Sequence, residues 1–141
     1  MIRPLLFVYG TLRRGASAQG LMASARFVAR LELAARHDMR SRGQYPVVWF
    51  PGRRRVVGEC YAVSPLLLRR LDRFEQTPHA YRRRLVRTPI GWAWMYRCDG
   101  THGKRCGRVV RQGDWMKQPG RLAGTVAGRY KTTRSGVYAR G

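Results

Sequence analysis

The apolar residues of this sequence come in short blocks, and each block predicts one element. Leu5, Leu6, Phe7, Val8 and Tyr9 form a continuous apolar run stopped by Gly10. That is the pattern of a buried strand entering a tight turn at Gly10, Thr11 and Leu12. From 19 to 35 the signal is mixed, and Gln19, Leu21, Met22, Ala23, Ala25 and Phe27 through Leu33 predict a short helix followed by a strand. Tyr45 to Phe50 is a second short apolar block, opened by Tyr45-Pro46 and closed by Pro51-Gly52. Beyond it, Val57, Glu59, Tyr61 and Val63 alternate with Val56, Gly58, Cys60 and Ala62. Period-two alternation sends the two sets to opposite faces of a strand.

The pattern then changes period. Ser64-Pro65 supplies a helix N-cap and a first-turn proline, and the helix is expected to run to about Glu75, because Pro78 lies just beyond. At about 100° per residue, Leu67, Leu68, Leu71, Phe74 and Glu75 share one side, while Arg69, Arg70 and Arg73 share the other. Tyr81 to Arg87 and Trp92 to Arg97 flank Thr88-Pro89-Ile90-Gly91 and read as a hairpin. Trp92, Trp94 and Tyr96 fall on one face of its second strand. Such a row is the pattern of a barrel core; the competing reading is a platform that stacks nucleotide bases beside Arg97. Cys98 to Gly107 reads as a polar loop, and Arg108 to Val110 as one more short strand before Gly113-Asp114-Trp115. Residues 119 to 141 hold five basic residues, no acidic ones and five glycines, without periodicity. They are expected to extend, as a tail, from a domain that spans 1 to 118.

Composition sharpens this picture at three points. With 141 residues and 44% hydrophobic side chains, one domain with its own core is expected. The 29 Lys and Arg against 7 Asp and Glu give a formal net charge of +22, so any polyanion is attracted. A basic module on the same fold, holding nucleic acid or an acidic carrier protein through its Arg-rich surface with little or no catalysis, is therefore the alternative to an enzyme. Three cysteines, an odd count, make no self-contained disulfide framework. The run at Leu5 to Tyr9 is far shorter than a signal-peptide core or a membrane span, so the chain is expected to be soluble and cytoplasmic.

Among the acidic residues, Glu75 is conspicuously misplaced, because it points with the leucines. A carboxylate held against apolar surface loses hydration, which favours its protonated form and moves its proton affinity toward the range useful for transfer. Two readings stand: Glu75 is a general acid/base, or it pairs with Arg82, Arg83 or Arg84 and anchors the next strand. Asp72, at the edge of the apolar arc, reads as an ion-pair residue, and Glu59 ranks second as a proton carrier. Cys98, His102 and Cys106 offer three ligands where structural zinc wants four, so neither a metal nor a cofactor is expected.

Taken in order, Val8-Tyr9-Gly10-Thr11-Leu12, Gly58-Glu59-Cys60-Tyr61, Leu71-Asp72 with Phe74-Glu75, Tyr81-Arg82-Arg83 and Gly113-Asp114-Trp115 resemble the γ-glutamylcyclotransferase-like family over about residues 5 to 116. The resemblance implies an α+β domain, a mixed, partly closed β-barrel with flanking helices and a cavity at one end. It implies release of an amine from a γ-glutamyl group with formation of 5-oxoproline. It also implies that Tyr9, Gly10, Thr11 and Leu12 line the site, that Tyr81 assists substrate binding, and that Glu75 moves the proton. In that reaction the substrate's own α-amine is the nucleophile, so no Ser, Cys or metal is required. Residues 117 to 141, the loop at Cys98 to Cys106 and the high net charge depart from the family pattern.

Overall fold

The computed structural model describes residues 3–75, 81–100 and 105–118. Its elements in chain order are strand β1 (Leu5–Val8), a short 3-10 turn (Gln19–Met22), strands β2 (Arg26–Ser41) and β3 (Pro46–Ala62), and helix α1 (Pro65–Glu75). Strands β4 (Arg82–Thr88), β5 (Gly91–Asp99) and β6 (Arg108–Val109) and a 3-10 turn (Trp115–Lys117) follow. All six strands join one mixed sheet in the order β4-β5-β1-β3-β2-β6. The architecture is α+β, as expected, with a single α-helix among the described residues.

The helix forms where capping and period agree. The Ser64 hydroxyl accepts the Leu67 N–H at 3.0 Å, and Leu67, Leu68, Leu71 and Glu75 are buried. Fully burying a leucine contributes about 1.5–3 kcal/mol, so this face fixes the helix on the sheet. The hairpin also forms as expected: β4 and β5 pair from Arg82 with Arg97 to Thr88 with Gly91. At its turn, the Thr88 hydroxyl donates to the Gly91 carbonyl at 2.6 Å and accepts the Ile90 N–H at 3.1 Å.

One expectation is corrected. Pro51-Gly52 does not end the block that begins at Tyr45, since β3 runs from Pro46 to Ala62 and its partner β2 is nearly as long. The punctuation sits in a bulge: Trp49 pairs with Asp38 and Arg54 with His37, so the intervening residues have no partner on β2. A proline costs no ladder hydrogen bond there. Gly52 lies against the His37 carbonyl, where a Cβ would collide. At the bulge the ribbon curls, and Trp49 and Phe50 meet Cys98 and Asp99 of β5 in parallel register. That second pairing partly closes the barrel.

Both faces of the central strands are therefore covered. On β1, Leu6 and Val8 pack with Tyr61, Val63, Leu67, Leu68 and Leu71 on the helix side. Phe7 and Tyr9 pack with Met39, Val48, Val56, Cys60 and Met95 inside the barrel. Of the aromatic row of β5, Trp94 and Tyr96 belong to the helix side and not to the barrel interior, which Ala93 and Met95 fill, while Trp92 is exposed. Among the described residues, no helix is long and apolar enough to cross a membrane.

Candidate active site

Strand β1 ends where the backbone must turn beneath another segment. Gly10 lies under the Pro46 ring, and a Cβ there would stand 2.6 Å from the proline Cγ. The turn is tied by the Arg13 N–H to the Gly10 carbonyl at 3.0 Å and by the Ala18 N–H to the Thr11 carbonyl at 2.8 Å. Thr11 and Leu12 are buried behind it.

Helix α1 brings Glu75 to this turn. Its carboxylate-bearing residue is 4% exposed, and it lines one cleft together with Phe7, Val8, Tyr9, Gly10, Thr11, Leu12 and Tyr96. The cleft encloses about 290 Å³ including its open mouth. Of the three arginines that the pattern offered to Glu75, Arg83 pairs with Asp72 and Arg84 with Asp99. Tyr81 is half-buried against the helix-side cluster and is not among the residues lining the cleft. A wider opening, about 1150 Å³ including its open mouth, lies elsewhere, lined by Arg36, Arg87, Arg97, Phe50 and Trp92 among others, but neither Glu75 nor the turn reaches it. The inward carboxylate, not size, singles out the smaller cleft.

Two polar networks hold the turn and the helix. Behind the turn, Arg13 is 3% exposed; its Nε donates to Glu59 Oε2 at 3.3 Å and its Nη1 to Asp114 Oδ1 at 2.8 Å. Glu59 Oε1 accepts the Arg14 backbone N–H at 2.9 Å and the Tyr61 hydroxyl at 3.0 Å. Asp114 also accepts from Arg30 at 3.3 Å and caps the last 3-10 turn through the Met116 N–H at 3.2 Å. Glu59, ranked second as a proton carrier, is thus committed to holding the residues that follow the turn. Burial, then the Glu59 charge, pushes the Tyr61 phenol up to about 12, so it remains a donor to that carboxylate.

Behind the helix, the Tyr96 hydroxyl donates to Asp72 Oδ1 at 2.6 Å, and Arg83 clasps the same carboxylate through Nε at 2.8 Å and Nη2 at 3.0 Å. The Arg83 guanidinium also lies 4.4 Å over the Trp94 ring. The Tyr9 hydroxyl donates to the Tyr96 carbonyl at 2.7 Å and links the turn to β5. Burial first, then Asp72 and more weakly Glu75, raises the Tyr96 phenol far above its ordinary range, so it stays protonated. Asp72 is the ion-pair residue that its position on the arc implied.

The pattern left Arg13 unassigned, because one inward arginine carries no signal among so many cations. Tyr96 was visible only as part of the aromatic row, which is divided: Tyr96 is buried, Trp94 half-buried and Trp92 58% exposed. Cys60 is pushed up to about 11 by burial, which keeps it a thiol and a poor nucleophile. Cys98 is buried and Cys106 exposed, while His102 lies outside the described residues. Among the described residues no three His, Cys, Asp or Glu side chains gather to hold a metal ion.

With this geometry in view, comparisons with known proteins are specific. Residues 6–117 match the family model described as gamma-glutamyl cyclotransferase, AIG2-like. A Vibrio cholerae protein provisionally named a gamma-glutamylcyclotransferase is 35% identical over 114 residues, covering 81% of this chain and 96% of that protein. The human gamma-glutamylaminecyclotransferase is 38% identical over 95 residues, covering 61% of this chain and 62% of that protein. The solution NMR structure of ytfP from Escherichia coli superposes with a TM-score of 0.62 at 30% identity, over 80% of this chain and 96% of the other.

Proposed function

This chain belongs to the gamma-glutamyl cyclotransferase, AIG2-like family, and on that premise we propose that it releases an amine from a small γ-glutamyl substrate as 5-oxoproline forms, with Glu75 as the general acid/base. The observation that carries the reading is the meeting of a buried carboxylate with the Tyr9 to Leu12 turn in one cleft. The substrate's α-amine attacks its own γ-carbonyl carbon, so the new C–N bond closes a five-membered ring without an external nucleophile. Glu75 takes a proton from the α-ammonium to free the attacking amine and gives it to the departing nitrogen as the old γ-amide bond breaks; the second proton lost by the ring nitrogen leaves with the released amine, which departs as its ammonium. Backbone N–H groups of Gly10, Thr11 and Leu12 hold the substrate's oxygens, and fixed dipoles of this kind need no reorganisation as negative charge develops. Tyr81 keeps its substrate-binding role from the family resemblance alone, since it packs on the helix-side cluster and is not among the residues lining the cleft. A stacking module for nucleic acid finds less support, because only Trp92 of the aromatic row is widely exposed.

The test is Glu75→Gln, which keeps the shape of the side chain and removes its proton chemistry. Release of 5-oxoproline is measured over a panel of γ-glutamyl amines and γ-glutamyl peptides, together with the melting temperature. A loss of at least about a hundredfold in kcat with unchanged melting is expected. Parental turnover in the variant would overturn the assignment of Glu75.

A further inference from the structure

Asp72 stands one helical turn before Glu75, so the two carboxylates rise from neighbouring positions on α1. A bare anion there would disfavour ionisation of Glu75 by like-charge repulsion. Asp72 is not bare. Arg83 of β4 grips both of its oxygens, and Tyr96 of β5, itself a wall of the cleft, donates to one of them. Tyr96 also accepts the Tyr9 hydroxyl through its carbonyl, and its own hydroxyl lies 3.4 Å from the Leu68 carbonyl. One residue therefore joins the strand, the helix and the turn that form the cleft.

We propose that Arg83, Asp72 and Tyr96 form a positioning clamp for Glu75, which fixes the helix end against the turn and sets the charge that Glu75 meets one turn away. This rests on the reading of Glu75 as the acid/base. The clamp is only partly exposed, with Arg83 and Asp72 side chains at 25% and 38%, so its charges act at short range without full screening by water. The other titratable or charged groups on the packed elements are Tyr9 from the turn, Tyr81 from the approach to β4, the exposed Arg69, Arg70 and Arg73 of α1 and Arg82, Arg84 and Arg87 of β4, and Arg97, Cys98 and Asp99 at the far end of β5. Asp72 is the one other acidic residue of α1, and its counter-charge comes from another element. Removing one member of the pair must therefore alter the charge beside Glu75 with a defined sign. Asp72→Asn leaves the Arg83 cation and favours the ionised Glu75; Arg83→Gln leaves the Asp72 anion and favours the protonated form.

The chain has three glutamates, Glu32, Glu59 and Glu75, so labelling the glutamate side-chain carboxyl carbon gives a spectrum in which the Glu75→Gln variant identifies the Glu75 resonance. Its titration midpoint is expected to fall in Asp72→Asn and to rise in Arg83→Gln, while Arg83→Lys, which keeps the charge, stays near the parent. The corresponding limb of the kcat/KM profile should move in the same directions, with about a tenfold loss near neutral pH for Arg83→Gln and KM changed less than kcat. Each variant has its own sign, so either one that folds decides the matter. Midpoints that do not move, or that move the same way in both variants, would overturn the clamp. If the parent releases no 5-oxoproline from the panel, the catalytic reading fails, whereas the carboxyl titration still judges the clamp.

Discussion

The two polar networks beside the cleft are built from similar residues and do different work. Arg13 with Glu59 and Asp114 lies almost wholly out of water, with side chains 4–7% exposed, and ties the turn to β3 and to the last 3-10 turn. Arg83 with Asp72 keeps a quarter or more of each side chain in water and ties the helix to the hairpin. Removing one partner from a fully buried network strands the others in a medium that cannot solvate them, so breaking the first network is expected to destabilise the fold strongly. Charges that retain some water are less costly to change, and they can act on a neighbour's protonation with the fold intact. Burial separates a structural ion network from a chemical one, although the residue types are the same.

The sharpest way to break the comparison is Arg13→Met, which keeps the apolar stem but leaves Glu59 and Asp114 without their shared cation. A loss of about 3–5 kcal/mol in unfolding free energy is expected by urea denaturation. A much smaller loss would show that Arg30 and the backbone donors suffice for the two carboxylates. By the same logic, the isosteric Asp72→Asn should cost less stability than Arg13→Met and change the pH profile more.

A third buried polar group extends the rule to acid. Burial, then the nearby Arg97, lowers His37 from 6.5 to about 4, and the Arg97 Nη1 lies 3.1 Å from its Nε2, which suits a neutral ring that accepts at that nitrogen. The folded state then refuses a proton that the unfolded chain accepts. This contribution to stability is complete above about pH 6.5 and is lost as the pH falls toward about 4. Melting temperature against pH should decline over that window, and His37→Gln should flatten the decline. An unchanged slope would assign the acid sensitivity to other groups.

Smaller effects are expected where one neutral bond or one exposed pair is removed. Tyr9→Phe loses the hydroxyl bond to the Tyr96 carbonyl and should cost about 1 kcal/mol, with a few-fold loss of 5-oxoproline release as the turn loosens. Equal losses of stability and turnover in Tyr96→Phe, which keeps that carbonyl, would place the coupling in the Tyr96 hydroxyl and not in the turn. The smallest change belongs to Arg55→Gln, which breaks the pair with Glu32 at 68% and 50% exposure and should alter stability by less than about 0.5 kcal/mol. A larger loss would contradict the ranking of these networks by burial.

What the sequence determined by itself was local or periodic. The apolar run at Leu5 to Tyr9, the capped helix with Glu75 among its leucines, and the hairpin at Thr88 to Gly91 are each fixed by spacing and turn chemistry within a few residues, and all form. The motif order was likewise legible, because it lies in the chain and needs no coordinates. Tertiary structure decided what depends on partners far apart in sequence. Pro51-Gly52 reads as a stop in one dimension, but lies inside a strand because β3 bulges there out of its ladder with β2 and resumes pairing beyond. Trp92, Trp94 and Tyr96 share a face in any strand, yet only the position of α1 packs Trp94 and Tyr96 on the helix side instead of in the barrel interior, and leaves Trp92 exposed. Arg13 is indistinguishable from its neighbours until Glu59 and Asp114, which lie 46 and 101 residues away, converge on it. Periodicity records which way a side chain points relative to its own element; what it meets there depends on which other elements the folded sheet and helix bring opposite it.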